Sequence, residues 1–85
     1  MKQIKWNKLK SERLKKSRGV SFEEIMKAQL IAVKRHPNKT HQDIMLFEYK
    51  SYVWVVPFVK SNGDIFLKTL FPSRKYTKLF KEKKL

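Results

Sequence analysis

From Ile44 to Phe71 the chain reads "IMLFEYKSYVWVVPFVKSNGDIFLKTLF", three apolar runs broken by short polar stretches. Residues 44–49, 52–60 and 65–71 are rich in branched and aromatic side chains, which suit a pleated sheet. Lys50-Ser51 leaves room only for a tight turn. "SNGD" at 61–64 is a hairpin turn, because Asn62 and Gly63 tolerate positive φ. Strands joined this way make an antiparallel meander, and the rest of the chain must cover it. Pro57 sits inside the middle run. It has no N–H to give to a ladder, so it marks a bulge or a free edge.

The N-terminal part supplies the cover. In "KQIKW", Ile4 and Trp6 alternate with polar residues and share one face of a short strand. Residues 8–17 read as a mostly exposed helix with Leu9 and Leu14 as apolar anchors, stopped at Arg18-Gly19. Ser21 and Glu24 have capping-box spacing, and Val20 is placed to staple against Ile25. Phe22, Ile25, Met26, Gln29, Leu30 and Val33 then recur at helical spacing, which predicts a second helix to about Lys34. Arg35 and His36 fall at its negative end, and Pro37 closes it. "HPNKTHQD" is a loop. Beyond the meander, Ser73 is an N-cap for a basic helix over residues 74–83. The order is β-α-α-β-β-β-α. The fold class is α+β, an antiparallel meander sheet packed on helices, with the long second helix on one face. The other face is covered or left open, and an open aromatic face with a cationic rim is a way to hold single-stranded RNA.

The 85 residues make one domain, 1–85. There is no cysteine and there are two histidines, so no disulfide, cofactor or metal centre is expected. No apolar run approaches the ~20 residues of a membrane span, and the start lacks a signal-peptide core. A soluble, cytoplasmic protein with no membrane partner is expected. Lys and Arg number 21 against 7 Asp and Glu, a formal charge of +14. Such a field attracts polyanions, which points to nucleic acid or to an acidic protein that neutralises it. At 41% hydrophobic content the chain is no disordered basic tail.

The stretch "WNKLKSERLKKSRGVSFEE" resembles the BrnT family of bacterial toxins. Trp6, Gly19, Val20, Ser21, Phe22, Glu23 and Glu24 stand at the family's spacing. A loop with His41, a meander with a glycine turn, and an Arg/Lys-rich segment beside Thr77 follow in the same order. The resemblance implies a RelE/ParE-like fold and a ribonuclease that arrests translation. It also implies an antitoxin partner that carries a DNA-binding segment. Asn7 stands where the family commonly has aspartate. Leu14, Ser17 and Arg18 stand where it often has an asparagine and a Lys-His pair, and Asp43 and Ile44 where it often has an arginine. Fold and partner therefore carry over more directly than catalysis.

Metal-free RNA cleavage needs a base for the 2′-hydroxyl proton, cations for the phosphoryl oxygens and an acid for the leaving 5′ oxygen. Arg74 leads the candidates, with Lys75 beside it, because guanidinium forks match phosphate oxygens and a helix start adds backbone amides. The alternative is a solvated basic helix start. His41, Glu48 and Tyr76 are the acid–base candidates. Imidazole exchanges protons near neutral pH, but His41 also reads as a plain loop residue. Glu48 is the one acid in its strand, with a cross-sheet lysine pair as the alternative. Tyr76 could donate to phosphate, stack on a base or pack the last helix. His36 reads as a helix-end dipole partner. Lys68, between Phe66 and Leu70, and Lys78 are candidate RNA contacts. The alternative for Lys68 is a stem lying over apolar surface. Tyr49 and Tyr52 near the turn are stacking candidates, while Trp54 and Phe58 on the same face read as core.

Three functions fit. The first is a toxin ribonuclease acting on mRNA, free or on the ribosome, and neutralised by an acidic DNA-binding antitoxin. The second is a non-catalytic RNA-binding module. The third is a ParE-like toxin acting on a protein such as gyrase.

Overall fold

A computed structural model describes residues 3–85. Lys2, expected in the first strand, lies outside them. The elements are β1 (Ile4–Lys5), α1 (Lys8–Arg18), α2 (Phe22–Met26), β2 (Gln29–Arg35), β3 (Asp43–Tyr49), β4 (Tyr52–Ser61), β5 (Asp64–Leu67), β6 (Phe71–Pro72) and α3 (Arg74–Lys81). The α+β class and the expected order hold, with β2 and β6 added. The sheet runs β1-β5-β4-β3-β2, and β6 also pairs with β4. Among the described residues no helix is long and apolar enough to cross a membrane.

The meander is the frame. β3 and β4 pair in register from Asp43↔Phe58 to Tyr49↔Tyr52. Their turn holds Lys50 at φ 53° and Ser51 at φ 64°, and the β4–β5 turn holds Asn62 at φ 51° and Gly63 at φ 85°. Positive φ at both central residues gives the twist a two-residue hairpin needs. β3 and β4 are buried on both faces. Met45, Phe47, Trp54, Val56 and Phe58 pack with Phe22 and Ile25 of α2 and Leu14 of α1. Ile44, Leu46, Val53 and Val55 face the other way, against Tyr76 and Phe80 of α3. Two-sided burial explains why these strands read as continuous apolar runs rather than alternating ones. It also confirms Trp54 and Phe58 as core.

Pro57 marks a break in the neighbouring strand. The Lys68 N–H donates to Pro57 O at 2.8 Å. The return bond of that pair would need a proline N–H, which does not exist. The chain therefore leaves the ladder after Leu67 and rejoins β4 only at Phe71↔Val55. The single strand expected over 65–71 is two short ones, β5 and β6.

The second helix is much shorter than its spacing predicts. Its capping box is present, with the Ser21 hydroxyl accepting from Glu24 N–H and the Glu24 carboxylate from Ser21 N–H. Val20 and Ile25 are both buried, as the staple requires. The helix nevertheless ends at Met26, and Gln29–Arg35 is an edge strand paired with β3. A short isolated helix gains little from propensity alone. Ladder bonds to a well-anchored β3 outweigh it, and β-branched Ile31 and Val33 suit a strand. A register shift between Leu30 and Ala32, with Lys34 and Arg35 beyond it, blunts the free edge.

α1 is anchored by Leu14 and by Ser11, both buried, whereas the expected anchor Leu9 is 66% exposed. The Ser11 hydroxyl donates to the Glu23 carboxylate and accepts from Phe22 N–H, while Trp6 Nε1–H donates to the same carboxylate. These bonds, the Ser11 hydroxyl first, hold the Glu23 carboxyl below its ordinary value. Asn7 caps α1 by accepting from Lys10 N–H at 3.0 Å. Gly19, at φ 81°, ends it. The Arg18 guanidinium donates to Leu70 O and ties the end of α1 to the β5–β6 crossing.

Glu24 accepts from Lys15 Nζ at 2.9 Å. That bond, with the Ser21 amide, lowers its carboxyl from 4.5 to about 2. Because the folded-state value is depressed, this contribution is present at neutral pH. It is lost as pH falls from about 4.5 through about 2. Urea unfolding of Glu24→Gln should show a flatter pH dependence across that window than the parent chain. An unchanged slope would mean that the Lys15–Glu24 bond contributes nothing in solution.

Candidate nucleic-acid interface

The start of α3 is fixed to the start of β4 by a small polar cluster. Ser73 N–H donates to Val53 O at 2.9 Å, and the Ser73 hydroxyl accepts from Tyr76 N–H at 3.1 Å. The buried Thr77 hydroxyl accepts from Val53 N–H at 2.9 Å and donates to Ser73 O at 2.6 Å. β4 and α3 are thus joined by backbone and hydroxyl bonds, with Tyr76 and Phe80 seated on the sheet below.

That anchoring splits the basic residues of α3 between two sides. Arg74, Lys78 and Lys81, at helical i, i+4, i+7 spacing, line a groove of about 420 Å³ with Tyr52 and Glu82, whose carboxylate is 3.6 Å from Lys84 Nζ. Lys75 and Tyr76 line a smaller concavity of about 190 Å³ with His36, Phe71, Ile44 and Val55. Lys75 Nζ stands 5.6 Å from the Tyr76 ring centre. An adjoining groove of about 260 Å³ shares His36 and Phe71, and adds Lys10, Lys39 and Lys68. Lys68 lies just past the end of β5 rather than within a strand, and its ammonium is 5.8 Å from the Phe66 ring centre. Its expected face-mate Leu70 is fully buried.

The remaining candidates stand apart. His41 is exposed and lines a groove of about 570 Å³ with Val33, Arg35, Asp43 and Lys60. That groove is the larger one, but its Lys60 is already 3.7 Å from the Asp43 carboxylate. Glu48 is half-buried opposite Gln29 and Val53 and forms no ion pair among the described residues. Neither Glu48 nor Tyr49 lines the grooves flanking α3. Tyr49 carries the Lys50 ammonium 5.3 Å from its ring centre.

From the sequence, His36 reads as a helix-end dipole partner. With no helix running to Lys34, it is not a helix-end residue. It follows the edge strand, half-buried, where the two grooves meet. Its Nδ1 accepts from Asn38 N–H at 3.1 Å. The signal was available in Gln29–Arg35: reading it as a strand puts His36 at a strand end, beside a loop.

Chemically, the two grooves sharing His36 present several ammonium groups, an imidazole, a phenol and the Phe71 ring, with no carboxylate among their linings. That set suits a phosphodiester with a stacked base better than an acidic protein side chain alone.

No family model and no curated protein matches the chain. A crystal structure of the Brucella abortus ribonuclease toxin BrnT does match it, with a TM-score of 0.54 at 18% identity, covering 86% of this chain and 96% of that one. The chain has the BrnT fold. Within that fold, Glu23 joins α2 to Trp6 and to Ser11 of α1, Glu24 joins it to Lys15 of α1, and Ser21 caps α2; these residues carried the resemblance with Trp6. They are scaffold here, remote in role from the cations of α3.

If Thr77 fixes the cationic helix start, Thr77→Val should lower stability by about 1–3 kcal/mol, the usual cost of leaving a buried donor unpaired. Amide exchange at residues 74–78 should accelerate more than at β3. Equal protection in both variants would show that Tyr76 and Phe80 alone hold the helix.

Proposed function

We propose that the chain is the toxin of a type II toxin–antitoxin pair. In this reading it is a metal-independent endoribonuclease that cleaves mRNA, free or on the ribosome, and so stops translation. The observation that carries it is a set of cation-lined grooves around the start of α3, on a fold shared with a ribonuclease toxin. The +14 charge draws RNA in. Arg74 and Lys75, on either side of the helix start, hold successive phosphates and stabilise charge on the phosphoryl oxygens. Lys68 and Lys78 extend the backbone track, and Tyr52 and Tyr76 offer faces for bases. The 2′ oxygen attacks phosphorus as its proton passes to water, and the P–O5′ bond breaks as O5′ takes a proton from water. The products are a 2′,3′-cyclic phosphate and a 5′-hydroxyl. An acidic, DNA-binding antitoxin would neutralise the toxin by covering this cationic side.

Incubating RNA with the protein in excess chelator should yield cyclic-phosphate ends. Arg74→Ala and Lys75→Ala should each slow cleavage by about 10²-fold, as for other donors to developing negative charge. Tight, salt-sensitive binding without strand breaks would favour a non-catalytic RNA module. Growth arrest with DNA damage and intact RNA would favour a gyrase-directed toxin.

A further inference from the structure

We propose that His36 is a fixed hydrogen-bond donor to the RNA backbone, and not the proton carrier of the reaction. The inference rests on the reading of these grooves as an RNA site. Its motive is the set of bonds that hold the ring. The His36 backbone N–H donates to Gln42 O at 3.1 Å, which pins the residue where β2 gives way to the loop. Two residues on, the Asn38 N–H donates to Nδ1 at 3.1 Å. A nitrogen that accepts a backbone N–H carries no proton of its own, so the neutral ring bears its hydrogen on Nε2. With Nδ1 turned to its own loop, Nε2 is the opposite edge of a ring that lines both grooves.

This arrangement excludes two roles and leaves one. Nε2–H has no lone pair to take the 2′ proton, so the ring is not the base in this geometry. Giving up the Nε2 proton would leave an imidazolate, so the neutral ring is not the acid either. Nδ1 is occupied by the Asn38 N–H, so the ring has no free nitrogen in this geometry. The groups around it, Lys10, Arg35, Lys39, Lys68 and Lys75, are cations, and Tyr76 is the remaining titratable neighbour. A neutral N–H donor adds a directional contact to a phosphoryl oxygen where the lysines supply only field.

The test compares His36→Ala with His36→Gln, whose side-chain amide restores an N–H donor but cannot carry a proton. Two readouts serve: cleavage of a short RNA in chelator, and the Kd of its 2′-O-methyl analogue, which cannot be cut. Folding is checked by thermal unfolding. The alanine variant should slow cleavage by about 10²-fold and weaken analogue binding by about tenfold or more. Glutamine should recover most of both. If glutamine cleaves as poorly as alanine while binding normally, His36 carries a proton and the proposal is wrong. If alanine changes neither readout, the residue is surface and the proposal is equally wrong. Should the parent chain bind but not cut RNA, the ribonuclease reading fails while the binding arm still decides the role of His36.

Discussion

Burial of β3 and β4 on both faces is the constraint from which the rest of the structure follows. Fully covered side chains such as Leu46 and Val53 on one face, and Val56 and Phe58 on the other, require a cover on each side of the sheet. On one side α1 and α2 provide it. On the other it falls to α3, whose Tyr76 and Phe80 complete the second cluster. Apolar burial therefore places a strongly basic helix at the point where β6 ends and the β2–β3 loop returns. The cationic grooves are a by-product of covering the sheet, since a short helix cannot cover it without leaving concavities beside itself.

The polar bonds that fix these covers are few and specific. Ser11 and Glu23 join α1 to α2, Arg18 joins α1 to the strand crossing, and Thr77 joins α3 to β4. Each satisfies a backbone group or carboxylate that packing would otherwise leave unpaired, where the penalty for an unmade bond exceeds the gain of a made one. A fold can keep such joints while its surface diverges, which fits a shared architecture at 18% identity. The positions where this chain departs from the BrnT pattern support that view. Asn7 still caps α1 and Leu14 is buried in the core, so neither departure harms the scaffold.

What was legible in the sequence was local. Turn residues fixed two hairpins, Ser21 and Glu24 declared a helix start, and Ser73 declared another. The stretch after Met26 was not legible, because Leu30 and Val33 fit a helical face as well as a strand. The choice there is made by β3, distant in sequence. The helical reading therefore put His36 at a helix end instead of a strand end. Pro57 was recognised as a defect in the ladder, but its consequence, the split of β5 from β6, depends on Lys68 arriving opposite it. The candidate site was half legible for a related reason. Arg74 and Lys75 are neighbours in sequence, yet successive helical positions point about 100° apart, so they serve different grooves. His41, Glu48 and Tyr49 have suitable chemistry but do not line the grooves flanking α3, which composition and spacing alone do not reveal.

The central claim is that RNA is held beside α3, between the β2–β3 loop and the β5–β6 crossing. Titrating the isotope-labelled protein with a 2′-O-methyl oligoribonucleotide and following amide and side-chain NMR shifts tests it directly. The account predicts the largest changes at His36, Lys68, Lys75 and Tyr76, with a second set at Arg74 and Lys78. Changes centred on Arg35, His41 and Lys60 with α3 unmoved would contradict it.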